Sequence, residues 1–491
     1  MLMLRHKEKL HINNYLKKEH EVGNKKIHVV ILGSGFAGIE VLKGLQKKLK
    51  HNENVTITLV SRDNFLLFTP MLPEVSTGMI ETRHIVTPAR SFTNKARFYE
   101  ANVESIDLDN KKVVMAHSIG RQFHPTAWDK HSLEYDYLVI ALGSETNFFG
   151  MDDVKENSFT MMSIDDAIIL RNHILSMLEQ ASIEEHNRDL MKSLLTFVVV
   201  GGGFNGIETV GALNDFVRET IRNYYKNIYM TDVRILLVNA EDRILQQVDA
   251  DLGKWALNKL KSNGVEFIMN THVKGATQTA AQLDNGDLIN THTIIWSTGV
   301  TPSNLIADLP CEHDRGHRIV INSYLEVPKY PGVYALGDCA SITDPNTGKP
   351  YPPTAQHAIR QGKVVVKNII SSLKEKEGVK SKENKKKFNY KTRGMMAEIG
   401  KRIGVATFFG FKVHGFVAWW LWRTFYLSNL PTTKKKLKVM SDWTMDLIFK
   451  PDVAMIKRFA EEHNDNLEEH NDKRSIMKKD RGDSIQKVTS L

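Results

Sequence analysis

Two glycine clusters carry the clearest chemical signal in this chain. The first, GSGFAG from Gly33 to Gly38, follows the apolar run IHVVIL, and the second, GGGFNG from Gly201 to Gly206, follows FVVV. In such a turn the first glycine permits the tight bend, the second lets backbone approach a pyrophosphate, and the third lets the new helix pack against its strand. Those places fall to Gly33, Gly35 and Gly38, and again to Gly201, Gly203 and Gly206. Each helix then starts with its N-terminus toward the phosphates, through Phe36 and Ala37 in one case and Phe204 and Asn205 in the other. One such turn is weak evidence. Two in one chain are expected when a flavin and a nicotinamide must be brought face to face.

A ribose normally finds a carboxylate at the tip of the following strand. Here VTITLV ends at Ser61, with Arg62 next, so a hydroxyl replaces the acid and a guanidinium is at hand to stack on adenine. In the second unit RILLVNA offers Asn239, with Glu241 and Arg243 close behind. Asparagine does not repel the extra phosphate of NADPH and Arg243 would attract it, so NADH and NADPH both stay open.

Later strand ends fit cofactor crossings. Gly143 with Ser144, and Gly299, leave room for a ligand, although an ordinary strand-to-loop turn reads the same. Gly337 and Asp338 end another apolar run, where Asp338 could accept from ribityl hydroxyls or cap a helix. After Pro352 and Pro353 a helix begins near Thr354 and Ala355, its backbone donors placed to stabilise negative charge on a reduced flavin.

The elements that must hold these residues alternate strand and helix, an α/β pattern. The chain has 491 residues, 42% hydrophobic and 25% charged, enough for two or three domains. Cys311 and Cys339 are the only cysteines, too few for a disulfide framework or a four-thiolate metal site. No metal is expected. The net charge of +9 gathers in the head, an insert and the region after residue 430, and permits attraction to a polyanion or an anionic membrane.

Taken together, GSGFAG with NFLLFTPMLPEVSTG, GGGFNGIE, ALGD and above all AQHAIRQG resemble the type II NADH dehydrogenases over roughly residues 26–450. These are single-chain NADH:quinone oxidoreductases of the two-dinucleotide-binding-domain flavoprotein superfamily. The resemblance implies FAD as cofactor, NADH or NADPH as substrate and quinone as acceptor. It makes Gln356 the residue bordering both flavin and quinone, Gln361 a second polar lining residue, and Glu208 the carboxylate beside nicotinamide and flavin. Without it, Glu208 is a first-turn helix acid, and Gln356, Arg360 and Gln361 are a solvated helix face.

The layout expected is a polar extension (1–25), a FAD domain in two parts (26–150 and 318–390), an inserted NAD(P)H domain (151–317), a membrane-binding region (391–450) and a polar tail (451–491). The stretch from Lys374 to Lys391 and the tail read as solvated surface. GFVAWWLWRTFYLSNL is too short to span a bilayer, and Trp419, Trp420 and Trp422 suit an interface. Past Pro431, Leu437, Met440, Trp443, Leu447 and Ile448 form an apolar stripe led in by Lys434, Lys435, Lys436 and Lys438. Lipid is the expected occupant, and core packing or a homodimer interface would use the same stripe.

Residues 1–25 lack the apolar run of a secretory signal and, unlike a transit peptide, are poor in arginine and contain acids. The expected location is the cytoplasmic face of the cell membrane, with the mitochondrial inner membrane as the alternative. The expected reaction is hydride transfer to flavin and two-electron reduction of quinone, without proton pumping. A sulfide:quinone oxidoreductase would need Cys311 and Cys339 as a redox pair. A non-catalytic NADH-sensing or nucleic-acid-binding flavoprotein would use the basic surface, against which the quinone-like motif argues.

Overall fold

The computed structural model describes residues 26–117, 130–376, 384–392, 394–408 and 410–455. The extension 1–25 and the tail from 456 onward lie outside them.

The first sheet takes β1 (Ile27–Leu32), β2 (Val55–Ser61), β3 (Arg97–Asp107), β4 (Lys112–His117), β5 (His131–Glu134) and β6 (Tyr137–Ile140). Helix α1 (Phe36–Lys48) follows β1, and the short α2 (Leu72–Ser76) follows β2. From Val29 to Leu32 the central strand is fully buried, as a parallel strand covered on both faces must be. A second, wholly parallel sheet contains β7 (Thr196–Val200), β8 (Arg234–Asn239), β9 (Val265–Met269) and β10 (Thr293–Trp296), in the order β9-β8-β7-β10. Helix α3 (Phe204–Tyr224) follows β7.

The chain then returns to the first sheet. β11 (Val333–Ala335) pairs with β6, giving the order β11-β6-β1-β2-β3-β4-β5. The second dinucleotide-binding unit is therefore inserted within the first, the expected α/β architecture. Helix α4 (Ala355–Lys376) lies across α1, so closely that a Cβ on Gly44 would press on Val366.

The region after residue 391 departs from expectation. A three-stranded antiparallel sheet, β12 (Gly394–Gly400), β13 (Ile403–Phe408) and β14 (Phe411–Gly415), precedes α5 (Phe416–Asn429) and α6 (Thr433–Ile448). β12 packs on α3 at Gly211, where any side chain would meet the Ile399 carbonyl. Of the tryptophans expected at a membrane interface only Trp420 is exposed; Trp419, Trp422 and Trp443 are buried against the body. An indole N–H offers a buried carboxylate a directed donor, which lipid cannot match.

Residues 384–391 also correct the solvated reading of the charged insert. Phe388 is buried, Lys385 pairs with Glu326 at 3.2 Å, and Asn368 bonds Lys386 at both backbone N–H and carbonyl.

Candidate active site

Both glycine turns have the geometry a pyrophosphate needs. Gly33 and Gly201 take positive φ of 100° and 112°, a region other residues rarely adopt. Side chains at Gly38 and Gly206 would overlap the carbonyls of Gly33 and Gly201, so the helices sit directly on their turns. A Cβ at Gly35 or Gly203 would meet nothing within 4 Å. Neither helix start has a side-chain cap or an acidic residue in its first turn, which leaves its N–H groups and positive dipole end for an anion. The residues present fit dinucleotides at both turns.

The strand-tip residues behave otherwise than expected. Ser61 is buried, and its hydroxyl takes the Ser34 N–H at 3.2 Å and meets the Ser34 hydroxyl at 2.8 Å. Asn239 is likewise buried: Oδ1 accepts from Gly202 N at 2.8 Å, and Nδ2 donates to the Glu241 and Arg243 carbonyls. Both side chains brace their turns from behind. Arg62 is exposed beside Asp63. Arg243 turns inward onto the carbonyls of Gln246 and Val248, whereas Glu241 and Asp242 are exposed.

Gly143, Gly299 and Gly337 all have positive φ, and Gly143 has open space beside it. Asp338 receives only a long bond from the Ser144 hydroxyl, 3.4 Å, and burial pushes its carboxyl up, so it retains capacity for a ligand hydroxyl. Gln361, expected as a polar lining residue, is buried at the edge of a cavity it shares with Asp338 and Thr354, and its Oε1 takes the N–H of Gly337 at 2.8 Å, fixing the turn that carries Asp338. At the start of α4, Ala355 and Gln356 are half-buried. Gln356 Oε1 accepts from Tyr390 at 3.4 Å, and Arg360 lies 4.2 Å over the Tyr390 ring.

Glu208 stands at the fifth position of α3, beyond the first-turn role of a dipole acid. Its Oε1 accepts from Trp422 Nε1 at 3.0 Å and from the Glu398 N–H at 3.2 Å, and burial pushes its carboxyl up to about 8. An aromatic series joins it to the first turn: Phe36 to Phe68 at 5.6 Å, Phe68 to Tyr426 at 6.0 Å, and Tyr426 to Trp422 at 4.6 Å. The two turns thus face one region.

Sequence reasoning missed the partners of Glu208. Glu74 on α2 and Glu398 on β12 are buried and line one cavity with it, and Arg423 on α5 is buried against Glu74 at 3.6 Å. Trp443 Nε1 donates to Glu74 at 2.9 Å and Trp419 Nε1 to Glu398 at 2.7 Å. Buried tryptophans need an acceptor, so three in the C-terminal helices were the available signal.

Cys339 is wholly buried, Cys311 half-buried, and burial raises both thiols to about 11. Neither sits where a thiolate is favoured, so the pair lends no support to the sulfide reading.

A fold with two such turns, one unit inserted in the other, defines the pyridine nucleotide-disulphide oxidoreductases, and residues 27–362 match that family. Residues 392–452 match the NDH2 C-terminal domain. The chain belongs to this family and, within it, to the type II NADH:quinone oxidoreductases. It is 32% identical over 442 residues to the probable NADH dehydrogenase of Dictyostelium discoideum, covering 89% of this chain and 93% of that protein. It is 31% identical over 435 residues to the type II NADH:quinone oxidoreductase Ndh of Mycobacterium tuberculosis, covering 86% and 89%. Its fold matches NDH2 from Plasmodium falciparum in complex with NADH with a TM-score of 0.79 at 19% identity, over 88% of this chain and all of that one. The sulfide:quinone oxidoreductase of Aquifex aeolicus shares the fold less closely, with a TM-score of 0.63 at 18% identity over 86% of this chain and 96% of that one.

Proposed function

We propose that this chain oxidises NADH through FAD and reduces a membrane quinone by two electrons. The observation that carries the reading is the pair of uncapped glycine turns facing one region through the aromatic series that ends at Glu208. FAD at the first turn supplies the hydride acceptance and the electron transfer. The residues do the rest. The first helix start would hold the FAD pyrophosphate and the second that of NADH, and Asp338 would accept from ribityl hydroxyls. Gln356, steadied by Tyr390, orients the acceptor beside the start of α4. Glu208, neutral at physiological pH because burial raises it to about 8, carries a proton for the reduced quinone. Exposed Glu241 and Asp242 favour NADH over NADPH by repelling a second phosphate.

The test is anaerobic half-reactions. Glu208→Gln should leave flavin bleaching by NADH intact and slow flavin reoxidation by a soluble quinone about 100-fold. Equal reoxidation rates would remove Glu208 from the reaction, and sulfide replacing NADH would overturn the assignment.

The membrane is reached through the C-terminal helices. Among the described residues no helix is long and apolar enough to cross a bilayer. Phe416, Val417, Trp420, Leu437 and Ile448 are each more than half exposed. Such a surface suits the interfacial depth of a lipid leaflet, where a bilayer-confined quinone arrives. On this reading the chain lies on the cytoplasmic face of the cell membrane, the mitochondrial inner membrane being the alternative that fractionation tests. Leu437→Ser with Ile448→Ser should release it from anionic vesicles without changing oxidation of NADH by soluble quinone. Unchanged vesicle binding, with a dimer that falls apart, would make this face a homodimer contact instead.

A further inference from the structure

The mechanism above leaves two buried carboxyl groups without work. Glu74 and Glu398 come from different parts of the chain, are 3% and 7% exposed, and stand beside each other. Among the described residues the guanidinium with them is that of Arg423, 3.6 Å from Glu74 Oε1 and sandwiched by the rings of Trp419 and Trp443 at 4.2 and 4.5 Å. Glu74 Oε2 is buried and takes no N–H donor among the described residues, and the carboxyls of Glu74 and Glu398 lie within hydrogen-bonding reach of each other. Two carboxyls against one fixed cation are electrically balanced only when they keep one proton between them, because an uncompensated buried charge is expensive.

Glu74, Glu208 and Glu398 all line one cavity of about 20 Å³, enough to seat a water. Its far wall carries Asp215 and Lys401. Asp215 accepts from the Lys401 backbone N–H, and Lys401 Nζ reaches Glu219 at 3.2 Å and Asp446 at 3.4 Å, partly exposed groups. Exchangeable groups thus line one cavity from the partly exposed Lys401 and Asp215 to Glu208.

We propose that Glu74 and Glu398 are positioning residues that hold one shared proton behind Glu208 and restore the proton Glu208 gives up. The inference rests on the role of Glu208 proposed above. Hydride from NADH brings two electrons and one proton, so making hydroquinone takes one proton more. The O–H bond of Glu208 breaks as the second O–H of hydroquinone forms. The proton of the Glu74 and Glu398 pair then moves to Glu208, and solvent refills the pair by way of Lys401 and Asp215.

The titration of this set depends on every charged group facing it. Glu74 faces Glu398, Glu208 and Arg423; Glu398 faces Arg423, Asp215 and Glu74; Asp215 faces Lys401 and Glu219. Burial dominates in each case, raising Glu398 to about 7 and Glu74 in the same direction.

The test uses the full-length FAD-loaded enzyme, reduced with one equivalent of NADH and mixed with a water-soluble benzoquinone across neutral pH. Glu398→Gln and Glu74→Gln should slow reoxidation roughly tenfold, less than loss of a direct proton donor, and displace its pH midpoint, with reduction by NADH unaltered. Glu398→Asp, which keeps a carboxyl, should recover most of the rate. Independently of turnover, the resting wild-type enzyme should show carboxylic-acid C=O absorption in the infrared at neutral pH that weakens in either Gln variant. Wild-type reoxidation and pH profile in both Gln variants, with Glu208→Gln still slow, would overturn the relay alone. A wild-type rate in Glu208→Gln would overturn the reading beneath it. Absence of the infrared band from the wild-type enzyme would exclude the shared proton whatever the variants do.

Discussion

The two glycine turns are near copies in backbone, yet they are covered by different things. The first is closed by α4, a helix that meets α1 through Gly362 and fixes the neighbouring loop with the neutral Gln361. The second is closed by β12, which presses on Gly211 and brings Glu398 and, from the helix beyond, Trp422 against Glu208. A motif that binds phosphate is thus indifferent to the chemistry beside it. The covering element decides whether the site next to the turn is neutral or carries protons.

The largest expected effect comes from the turns themselves. Gly38→Val and Gly206→Val each force a side chain into the preceding carbonyl. The first should yield protein that fails to retain FAD. The second should stay yellow but bind NADH about 30-fold more weakly, for about 2 kcal/mol of overpacking. Flavin-to-protein absorbance and NADH titration check this, and loss of FAD from both variants would break the comparison.

The covers differ next. Arg423→Met strands two buried carboxyls and should destabilise the C-terminal helices by about 3 kcal/mol. Arg360→Met, at the partly exposed face of α4, should change little. Limited proteolysis and thermal unfolding separate them.

Above neutral pH the second cover should respond and the first should not, because burial holds His357 of α4 down at about 4. Glu208 and Glu398 have folded values of about 8 and about 7 against an ordinary 4.5, so the native state binds more protons than the unfolded one between these values. Their contribution to stability is complete below about 4.5 and is lost as pH rises through 7 to 8. The melting temperature should fall over that window, and Glu208→Gln with Glu398→Gln should flatten the decline.

The smallest effects belong to the braces. Asn239→Ala removes three bonds behind the second turn and should cost about 2 kcal/mol, and Ser61→Ala behind the first about 1 kcal/mol. Donor affinity should weaken only with Asn239→Ala, measured by NADH titration.

The two dinucleotide-binding units, their turns and the helix at Ala355 were legible in the amino-acid order, because these depend on local requirements: continuous apolar runs, glycine where φ is positive, and a helix start free of acids. That order also held the apolar stripe of α6, of which Leu437, Met440, Leu447 and Ile448 are exposed as a membrane face requires. Packing across the fold settles which tryptophans turn inward, makes Ser61, Asn239 and Gln361 brace the turns, and gathers Glu74, Glu208 and Glu398 at one cavity with Arg423 against Glu74. A carboxylate's character follows from what is packed around it, and residues 74, 208, 398 and 423 are too far apart in the chain for any local pattern to join them.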